Sequence, residues 1–210
     1  MTLRYYYAVP TCTLAGMIAI EATGLDYEPV PIDLAADRAP YRAVNPTGKV
    51  PALQADDLLV TETAAIIYWL AATCPEAGLL PKGVAGVANA IAVMGWMSSV
   101  LHIVRRQFTR PMMFCEGVDA QASVRDAAVP KYRAELERLD GWIGEGRLGD
   151  PAESLGVEGY ALAFYHWGLL DGQPMRDLVH FSALATRLAA RPDVERALVR
   201  HASPLLRQVA

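Results

Sequence analysis

The strand-like segments of this 210-residue chain are confined to its first third, and this distribution limits the folds open to it. Residues 2–7 and 27–33 read as strands, and a helical segment over 11–23 separates them. Because a helical connection joins strands that run parallel, these two strands should pair in parallel. Residues 50–54 and 58–60 then predict an antiparallel hairpin, and a helix over 63–73 comes next. The order β-α-β-β-β-α predicts a mixed four-stranded sheet.

No strand pattern appears after Pro81-Lys82-Gly83, and the rest of the chain reads as helix. Apolar periodicity predicts helices over 84–110, 121–142, 155–170, 175–190 and 193–201. The chain therefore divides into a predicted α/β domain over 1–78 and an all-α domain over 84–210. Residues 35–49 are predicted to be a polar loop, with Asn45-Pro46-Thr47-Gly48 as its turn.

Composition excludes several classes of function. The net charge is −4 and Lys and Arg form no block, so nucleic acid is not an expected partner. Apolar stretches such as 64–72 are too short to span a membrane, and the N-terminus lacks a signal-peptide pattern. The three cysteines, Cys12, Cys74 and Cys115, are too scattered for a disulfide framework. We therefore expect a globular protein in the reducing cytoplasm.

Cys12 falls in the first turn of the first predicted helix. The free amides and the positive dipole end of a helix stabilise an anion there, and such positions lower a thiol pKa from about 8.5 to roughly 3.5–7.5. A reactive thiolate is one interpretation of Cys12. The alternative is a buried cysteine that serves as a small apolar residue.

Val50-Pro51 matters through its backbone. The residue before a proline is held extended, and a cis bond would leave the N–H and C=O of Val50 free to pair with an extended peptide. An ordinary proline at the start of a strand is the alternative.

Thr61-Glu62-Thr63 opens the helix over 63–73. The amides at that end can bind a carboxylate, the Thr63 hydroxyl adds a donor, and Glu62 can pair with an ammonium. Together they suit an α-amino acid head group. Plain helix capping is the alternative.

Three local motifs in this order resemble the glutathione S-transferase superfamily over essentially the whole chain. They are Asn45-Pro46-Thr47-Gly48-Lys49-Val50-Pro51-Ala52-Leu53, Thr61-Glu62-Thr63-Ala64-Ala65-Ile66 and Arg191-Pro192-Asp193-Val194. The resemblance implies a thioredoxin-like first domain followed by a helical domain. It is closest to the bacterial beta class, which has a cysteine at the first helix start, here Cys12, and a histidine on a long helix, here His102.

The resemblance also implies a set of site residues. Val50 would pair with the cysteinyl backbone of glutathione, and Glu62 and Thr63 would hold its γ-glutamyl end. Tyr7 aligns with a tyrosine near the sulfur, and strand alternation puts Tyr5 on the same face. The catalytic candidates are Cys12, His102 and Tyr7, and the binding candidates are Lys49, Val50, Pro51, Glu62, Thr63, Tyr5 and Arg106.

The chain departs from the family pattern at several positions. Asp37 stands where a lysine often contacts glutathione, and Ile103 comes directly after His102, where a basic residue is common. Arg105, Arg106 or a residue of a partner chain would have to supply the missing charge. Leu155 cannot cap the helix that begins there, so we expect either that Ser154 or Asp150 caps it or that the helix starts differently.

The leading functional hypothesis is conjugation of the glutathione thiolate to a small apolar electrophile, with glutathione as co-substrate and no metal. An adaptable apolar pocket lined by Trp96, Met112, Met113 and Phe114 is one interpretation of these residues, and simple packing between helices is the alternative. The resemblance also implies a homodimer. Two alternatives stay open: glutathione-dependent thiol-disulfide exchange through a Cys12 mixed disulfide, and a non-catalytic scaffold or regulatory protein with the same fold.

Overall fold

A computed structural model describes residues 2–209, with side chains described as far as Arg207. The four strands are β1 (Leu3–Tyr7), β2 (Glu28–Pro31), β3 (Ala52–Ala55) and β4 (Leu58–Thr61). The helices of the first half are α1 (Thr13–Thr23), α2 (Ala39–Val44) and α3 (Thr63–Thr73). Those of the second half are α4 (Gly83–Trp96), α5 (His102–Thr109), α6 (Val118–Gly144), α7 (Leu155–Leu170), α8 (Val179–Ala189), α9 (Pro192–Arg200) and α10 (Leu206–Val209).

The sheet has the strand order β2-β1-β3-β4, which confirms the predicted mixed topology. β1 pairs with β2 in parallel and with β3 antiparallel, and β3 and β4 form the hairpin. β2 lies at an edge of the sheet. Pro29 and Pro31 have no backbone N–H, and at an edge these missing donors do not interrupt the hydrogen bonds of an inner strand. Gly24 ends α1 with φ of 69°, in the left-handed conformation that glycine adopts without steric cost.

The two faces of the sheet are covered differently. Tyr5 and Leu53 point into the main core with α1 and α3, whereas Tyr6 and Ala52 form a small second cluster with Tyr41. Tyr41 belongs to α2, a short helix within the segment that was predicted to be a loop. The polar composition of this segment concealed the helix, because only Tyr41 of its six residues is buried.

α4 and α5 form one continuous helix, Gly83–Thr109, interrupted by a π-helical turn at Met97–Leu101. This helix has 27 residues and contains an 18-residue window with a mean hydropathy of 1.6, so by length and composition it is long and apolar enough to cross a membrane. The expectation that every apolar stretch is too short was therefore wrong here, because Asn89 and the serines interrupt the apolar run without ending the helix. Length and composition do not separate a spanning helix from a packed one. Its buried residues, Ala90, Val93, Met94, Met97 and Leu101, belong to the main core.

α7 is the central helix of the second half, and its residues 155–168 are all buried. Two glycines let it approach the first half closely. A Cβ on Gly156 would stand 2.5 Å from a methyl of Ile67 in α3, and one on Gly159 would stand 2.9 Å from Ile18 in α1. Small residues at these positions therefore determine how α7 packs against the sheet domain.

The linker between the halves, around residues 75–83, forms main-chain hydrogen bonds with the start of α7. The amide of Leu155 donates to the carbonyl of Gly78 at 3.0 Å, and that of Gly156 donates to Leu79 at 2.9 Å. These main-chain bonds satisfy amides that a capping side chain would otherwise serve. The predicted side-chain cap is absent, because neither Ser154 nor Asp150 bonds to the first amides of α7. The domain bounds of 78 and 84 remain a prediction.

Candidate functional site

A cavity of about 340 Å³ lies between the first half of the chain and the α4–α5 helix. One wall, called the first wall, comes from residues 10–63, and the opposite or second wall comes from residues 98–113. Of the predicted site residues, the cavity brings together Cys12, Lys49, Val50, Pro51, Glu62, Thr63, His102 and Arg106. It is therefore the candidate functional site.

Cys12 is the N-cap residue of α1, and its carbonyl accepts the amide of Ala15 at 3.1 Å. Burial raises the pKa of its thiol to about 11, against the lowering influence of Arg106 and of its own backbone amide. The desolvation of the thiol outweighs the effect of the helix end, and this favours the interpretation of Cys12 as a neutral thiol near pH 7.

The loop before β3 is fixed by two side chains of the first wall. Asn45 is buried, and its amide nitrogen donates to the carbonyl of Lys49 at 2.8 Å, where the hydroxyl of Tyr41 also donates at 2.7 Å. The Val50-Pro51 peptide bond is cis. Within residues 2–209, the N–H and C=O of Val50 have no protein hydrogen-bond partner. These two groups are therefore available to an extended peptide.

Glu62 and Thr63 stand where β4 turns into α3. Glu62 is exposed and has φ of 66°, a conformation that non-glycine residues rarely adopt and that clusters at binding sites. Thr63 is buried and is the first residue of α3, next to its free amides. The carboxylate of Glu62 and these amides match the two charges of an α-amino acid.

His102 lies on the second wall, one residue after the π-helical turn. An extra residue in a turn rotates the rest of the helix about its axis, and such turns are frequent at functional sites. The imidazole packs against Trp167 at 4.8 Å between ring centroids. Burial, with Arg106 and Arg105 nearby, lowers its pKa to about 3, so His102 is neutral near pH 7 and is not a cation for a thiolate.

Adjacent arginines of α5 have different environments. Arg105 forms a bidentate ion pair with Asp171 at 2.6 and 2.8 Å. Its guanidinium carbon lies 4.1 Å from the ring centroid of Trp167, in a cation–π contact. Asp171 also accepts the hydroxyl of Tyr132 at 3.0 Å. Arg106 lines the cavity and has no ion-pair partner among the described side chains. Arg105 was one candidate for supplying the missing positive charge, but its charge is paired with Asp171.

The position of Asp37 also has an explanation. Its carboxylate accepts the amide of Ala39 at 2.9 Å at the start of α2 and does not line the cavity. The neighbouring Arg38 does, and it donates to the carbonyl of Gly48 at 3.3 Å. Arg38 therefore brings a cation to the side of the cavity where the family lysine is missing.

Sequence reasoning missed several residues that line the cavity. The hydroxyls of Ser98 and Tyr160 share a hydrogen bond of 2.8 Å, and the indole of Trp167 donates to the carbonyl of Pro10 at 3.4 Å. Tyr160 and Trp167 come from α7, far from the motifs in sequence. No local pattern marks them, because residues 155–168 of α7 are all buried and its cavity-facing positions depend on how it packs.

The two tyrosines predicted near the sulfur lie elsewhere. Tyr5 is fully buried, and its hydroxyl donates to the carbonyl of Thr13 at 2.6 Å beneath α1. Tyr7 packs against His201 at 5.9 Å and is not among the residues that line the cavity. Both share one face of β1 as predicted, but that face is covered by helices instead of opening to the cavity.

The predicted apolar pocket is only partly assembled. Met113 lines the cavity, whereas Met112 and Phe114 are exposed beside it. Trp96 is elsewhere and packs on Trp142 at 4.5 Å. Within residues 2–209 there is no group of three His, Cys, Asp or Glu side chains able to hold a metal ion.

The comparisons with known proteins agree with this geometry. Residues 1–72 match the family described as glutathione S-transferase, N-terminal domain. The chain is 29% identical over 209 residues to glutathione S-transferase GstA of Escherichia coli O157:H7, covering 93% of this chain and 97% of that protein. The first 72 residues thus match the glutathione S-transferase family, and the similarity to GstA extends along almost the whole chain.

Solved structures of the superfamily have the same fold along almost the whole chain. A glutathione transferase homologue from Sulfitobacter with bound glutathione has a TM-score of 0.86 and 26% identity, covering 95% of this chain and 98% of its own. A bacterial beta-class glutathione S-transferase from Sphingomonas chungbukensis has a TM-score of 0.81 and 26% identity, covering 94% and 98%. The predicted fold and the likeness to the beta class are thus confirmed.

Proposed function

We propose that this chain is a glutathione transferase that conjugates the glutathione thiolate to small electrophiles, as part of detoxification. One observation carries the proposal: a single cavity joins the free backbone groups of Val50, the Glu62-Thr63 corner and the Cys12 thiol. The bound glutathione of the Sulfitobacter homologue, which has the same fold, adds support.

In this proposal glutathione lies along the first wall. Its cysteinyl N–H and C=O pair with the backbone of Val50, as an added strand would. Its ammonium pairs with Glu62, and its γ-glutamyl carboxylate is bound by Thr63 and the first amides of α3. Its glycyl carboxylate then falls beside Arg38 and Lys49, the two cations of the first wall that line the cavity.

The protein's contribution to the chemistry is to stabilise and aim the sulfur. A thiol with a pKa of about 11 stays protonated, so Cys12 donates an S–H hydrogen bond to the glutathione thiolate and does not compete as a nucleophile. Neutral His102 donates through a ring N–H, and Arg106 supplies positive charge. The glutathione proton leaves to solvent, and the thiolate attacks the electrophilic carbon while the leaving group departs with its electron pair.

Binding and turnover test this function separately. We expect millimolar glutathione to raise the melting temperature of the protein, and 1-chloro-2,4-dinitrobenzene to be conjugated in its presence. Val50→Pro removes the N–H that pairs with glutathione and should abolish the shift. Val179→Pro is the matched control, because Val179 is exposed and begins α8, where a proline is tolerated. Failure of the wild-type protein to bind glutathione would refute the proposal and favour the scaffold alternative.

Thiol-disulfide exchange is the second candidate, because Cys12 is the cysteine that lines the cavity. In this reaction the Cys12 thiolate attacks glutathione disulfide, releases one glutathione thiolate and forms a mixed disulfide that a second glutathione resolves. The raised pKa of Cys12 places this reaction second. Mass spectrometry after exposure to glutathione disulfide should show an adduct on Cys12, absent in Cys12→Ser, if exchange is the activity.

We also propose a cytoplasmic homodimer, built on the exposed side of α4. Val84 is 89% exposed and Ile91 45%, and the small residues Ala88, Ala92 and Gly95 lie on the same stripe. An apolar stripe of this kind, with small residues along it, suits close packing of the same helix from a second copy. The stripe is also the exposed part of the helix that is long enough to cross a membrane.

Light scattering after gel filtration tests the dimer. We expect a mass of two chains for the wild type and of one chain for Ala92→Arg, with Ala127→Arg on exposed α6 as the matched control. A monomeric wild type, or a protein recovered only with detergent, would contradict this assignment.

A further inference from the structure

The cavity carries more positive charge than glutathione neutralises. Arg38, Lys49, Arg105, Arg106 and Arg110 line it, and Glu62 is the one acid among its lining residues within 2–209. Glutathione has two carboxylates and one ammonium, so its net charge is −1 near pH 7. Even with Arg105 paired to Asp171, positive charge remains after glutathione is bound.

The positive charge that glutathione does not neutralise lies on the second wall. Lys49 and Arg38 stand beside Val50 and can serve the glycyl carboxylate. Arg106 and Arg110 belong to α5 and its end, one helical turn apart, on the opposite side of the cavity. Neither forms an ion pair with a described side chain. Arg106 is half-buried and Arg110 is exposed. A half-buried guanidinium such as that of Arg106 is costly without an acid next to it, unless a ligand or water satisfies it.

The charge of Arg106 reaches the reacting centre. Of the groups that lower the pKa of Cys12, Arg106 has the largest effect, and it also acts on His102 more strongly than Arg105 or Arg110 does. Arg106, Cys12 and His102 line the same cavity, so a group bound by Arg106 would share this cavity with the sulfur of glutathione.

Apolar surface adjoins these arginines. Ile103 and Met113 line the same wall, and Trp167 completes it behind His102. An occupant of this space would contact both the apolar side chains and the two guanidinium groups of this wall. Guanidinium groups bind carboxylates through paired hydrogen bonds, with more geometric specificity than an ammonium.

We propose that Arg106 and Arg110 form a carboxylate-binding subsite for the second substrate, so that the electrophile is a small organic acid with an apolar body. This inference rests on the proposed conjugation and names the substrate class for the same cavity. The reaction is unchanged: the thiolate forms a carbon–sulfur bond, the leaving group departs, and the carboxylate is held without reacting.

The test uses two probes that differ only in charge. They are 4-chloro-3,5-dinitrobenzoate and its methyl ester, from both of which the thiolate displaces chloride. The measured quantity is the ratio of kcat/KM for the acid to kcat/KM for the ester. Taking this ratio for each variant cancels the intrinsic reactivity of the probes and any effect of Arg106 on the thiolate itself.

We expect Arg106→Gln to lower this ratio by about 10- to 100-fold, as loss of a charged hydrogen-bonded contact does. Arg106→Lys should restore part of it, and Arg110→Gln should lower it less because Arg110 is more exposed. Arg176→Gln, an exposed arginine outside the cavity, removes the same charge and should leave the ratio unchanged.

Two results would overturn the inference. One is an unchanged ratio in folded Arg106→Gln. The other is a rise in the KM for glutathione with both probes, which would assign Arg106 to the glycyl carboxylate. Conjugation of the ester by the wild type tests the proposed function alone.

Binding without reaction gives an independent readout. Calorimetry with S-methylglutathione present should show 3,5-dinitrobenzoate binding more tightly than its methyl ester, with the difference lost in Arg106→Gln. Equal binding of the two by the wild type would also overturn the inference.

Discussion

The two walls of the cavity present different kinds of groups to a ligand. The first wall offers mainly backbone: the peptide groups of Val50, the amides that open α3 and the cap of α1. The second wall offers side chains, chiefly His102 and Arg106. Backbone groups bind a ligand's main chain and are insensitive to most substitutions, whereas side chains change with every substitution. We infer that the first wall fixes the common co-substrate and the second sets the variable one.

The walls also differ in how they are held. Asn45 and Tyr41 pin the loop of the first wall by hydrogen bonds to one carbonyl, that of Lys49. On the second wall a buried ion pair, Arg105–Asp171, anchors α5 to the end of α7. Substitutions can therefore perturb one wall without the other, and their expected effects differ in size.

Removing the anchor of the second wall should have the largest effect. Asp171→Ala leaves Arg105 buried without its partner, and the free energy of unfolding should fall by about 3–5 kcal/mol. Urea denaturation measures this loss. Asp126→Ala, at an exposed position of α6, should change it by less than about 0.5 kcal/mol. If both variants unfold alike, the ion pair does not anchor the wall.

Removing the charge of Glu62, at the corner of the first wall, should affect only the binding of glutathione. Glu62→Gln keeps the shape of the side chain but loses the partner of the ammonium, so the KM for glutathione should rise by about 30- to 100-fold. Initial rates at varied glutathione measure it, and Glu116→Gln is the exposed control. A KM within about threefold of the wild type would remove Glu62 from the binding site.

Three histidines are neutral in the folded protein, so acid should lower its free energy of unfolding. Burial lowers the pKa of His102 and His201 to about 3 and that of His166 to about 4. The unfolded chain binds their protons near pH 6.5, so stability is full above that pH. It falls by about 1.4 kcal/mol per histidine for each pH unit between about 6 and 4.

Urea midpoints at pH 7.5, 6.0 and 5.0 give the slope of this dependence. His201→Gln, which removes one of the three buried imidazoles, should make the slope shallower by about a third. A slope identical to that of the wild type would show that His201 does not contribute. Burial raises the pKa of the Glu158 carboxyl, so its protonation favours the folded protein as the pH falls and makes the overall loss of stability smaller.

Replacing Cys12 should have the smallest effect. If its thiol only donates a hydrogen bond, Cys12→Ala should lower kcat by about 2- to 12-fold, and Cys12→Ser, which keeps a donor, by less. Steady-state rates with 1-chloro-2,4-dinitrobenzene give both numbers. A loss of about a thousandfold in both variants would instead make Cys12 the nucleophile.

Sequence reasoning succeeded where the signal was local. The cis bond considered at Val50-Pro51 and the start of α3 at Thr63 each depend on a few adjacent residues. The first wall is built from such segments, so most of it was predicted. The helix α2 was the exception, since Pro40 and the polar residues around it read as loop.

The second wall could not be predicted in the same way, because its residues depend on distant partners. Arg105 and Arg106 are adjacent and chemically identical, yet one is buried by Asp171, 66 positions away, and the other lines the cavity. The π-helical turn before His102 shifts which side of α5 faces inward, and no simple helical period anticipates it. The pKa of Cys12 likewise depends on burial by the whole fold.

The bonds from Leu155 and Gly156 to the linker have a mechanical consequence. Through them, the carbonyl groups of Gly78 and Leu79 in the linker fix where α7, the central helix of the second half, begins. A hinge motion at residues 78–79 would have to break two main-chain hydrogen bonds and withdraw Gly156 from Ile67. The cavity width is therefore not adjusted by swinging the halves apart. Entry and exit of ligands must rely on side-chain movement and on the exposed turn at Met112 and Met113.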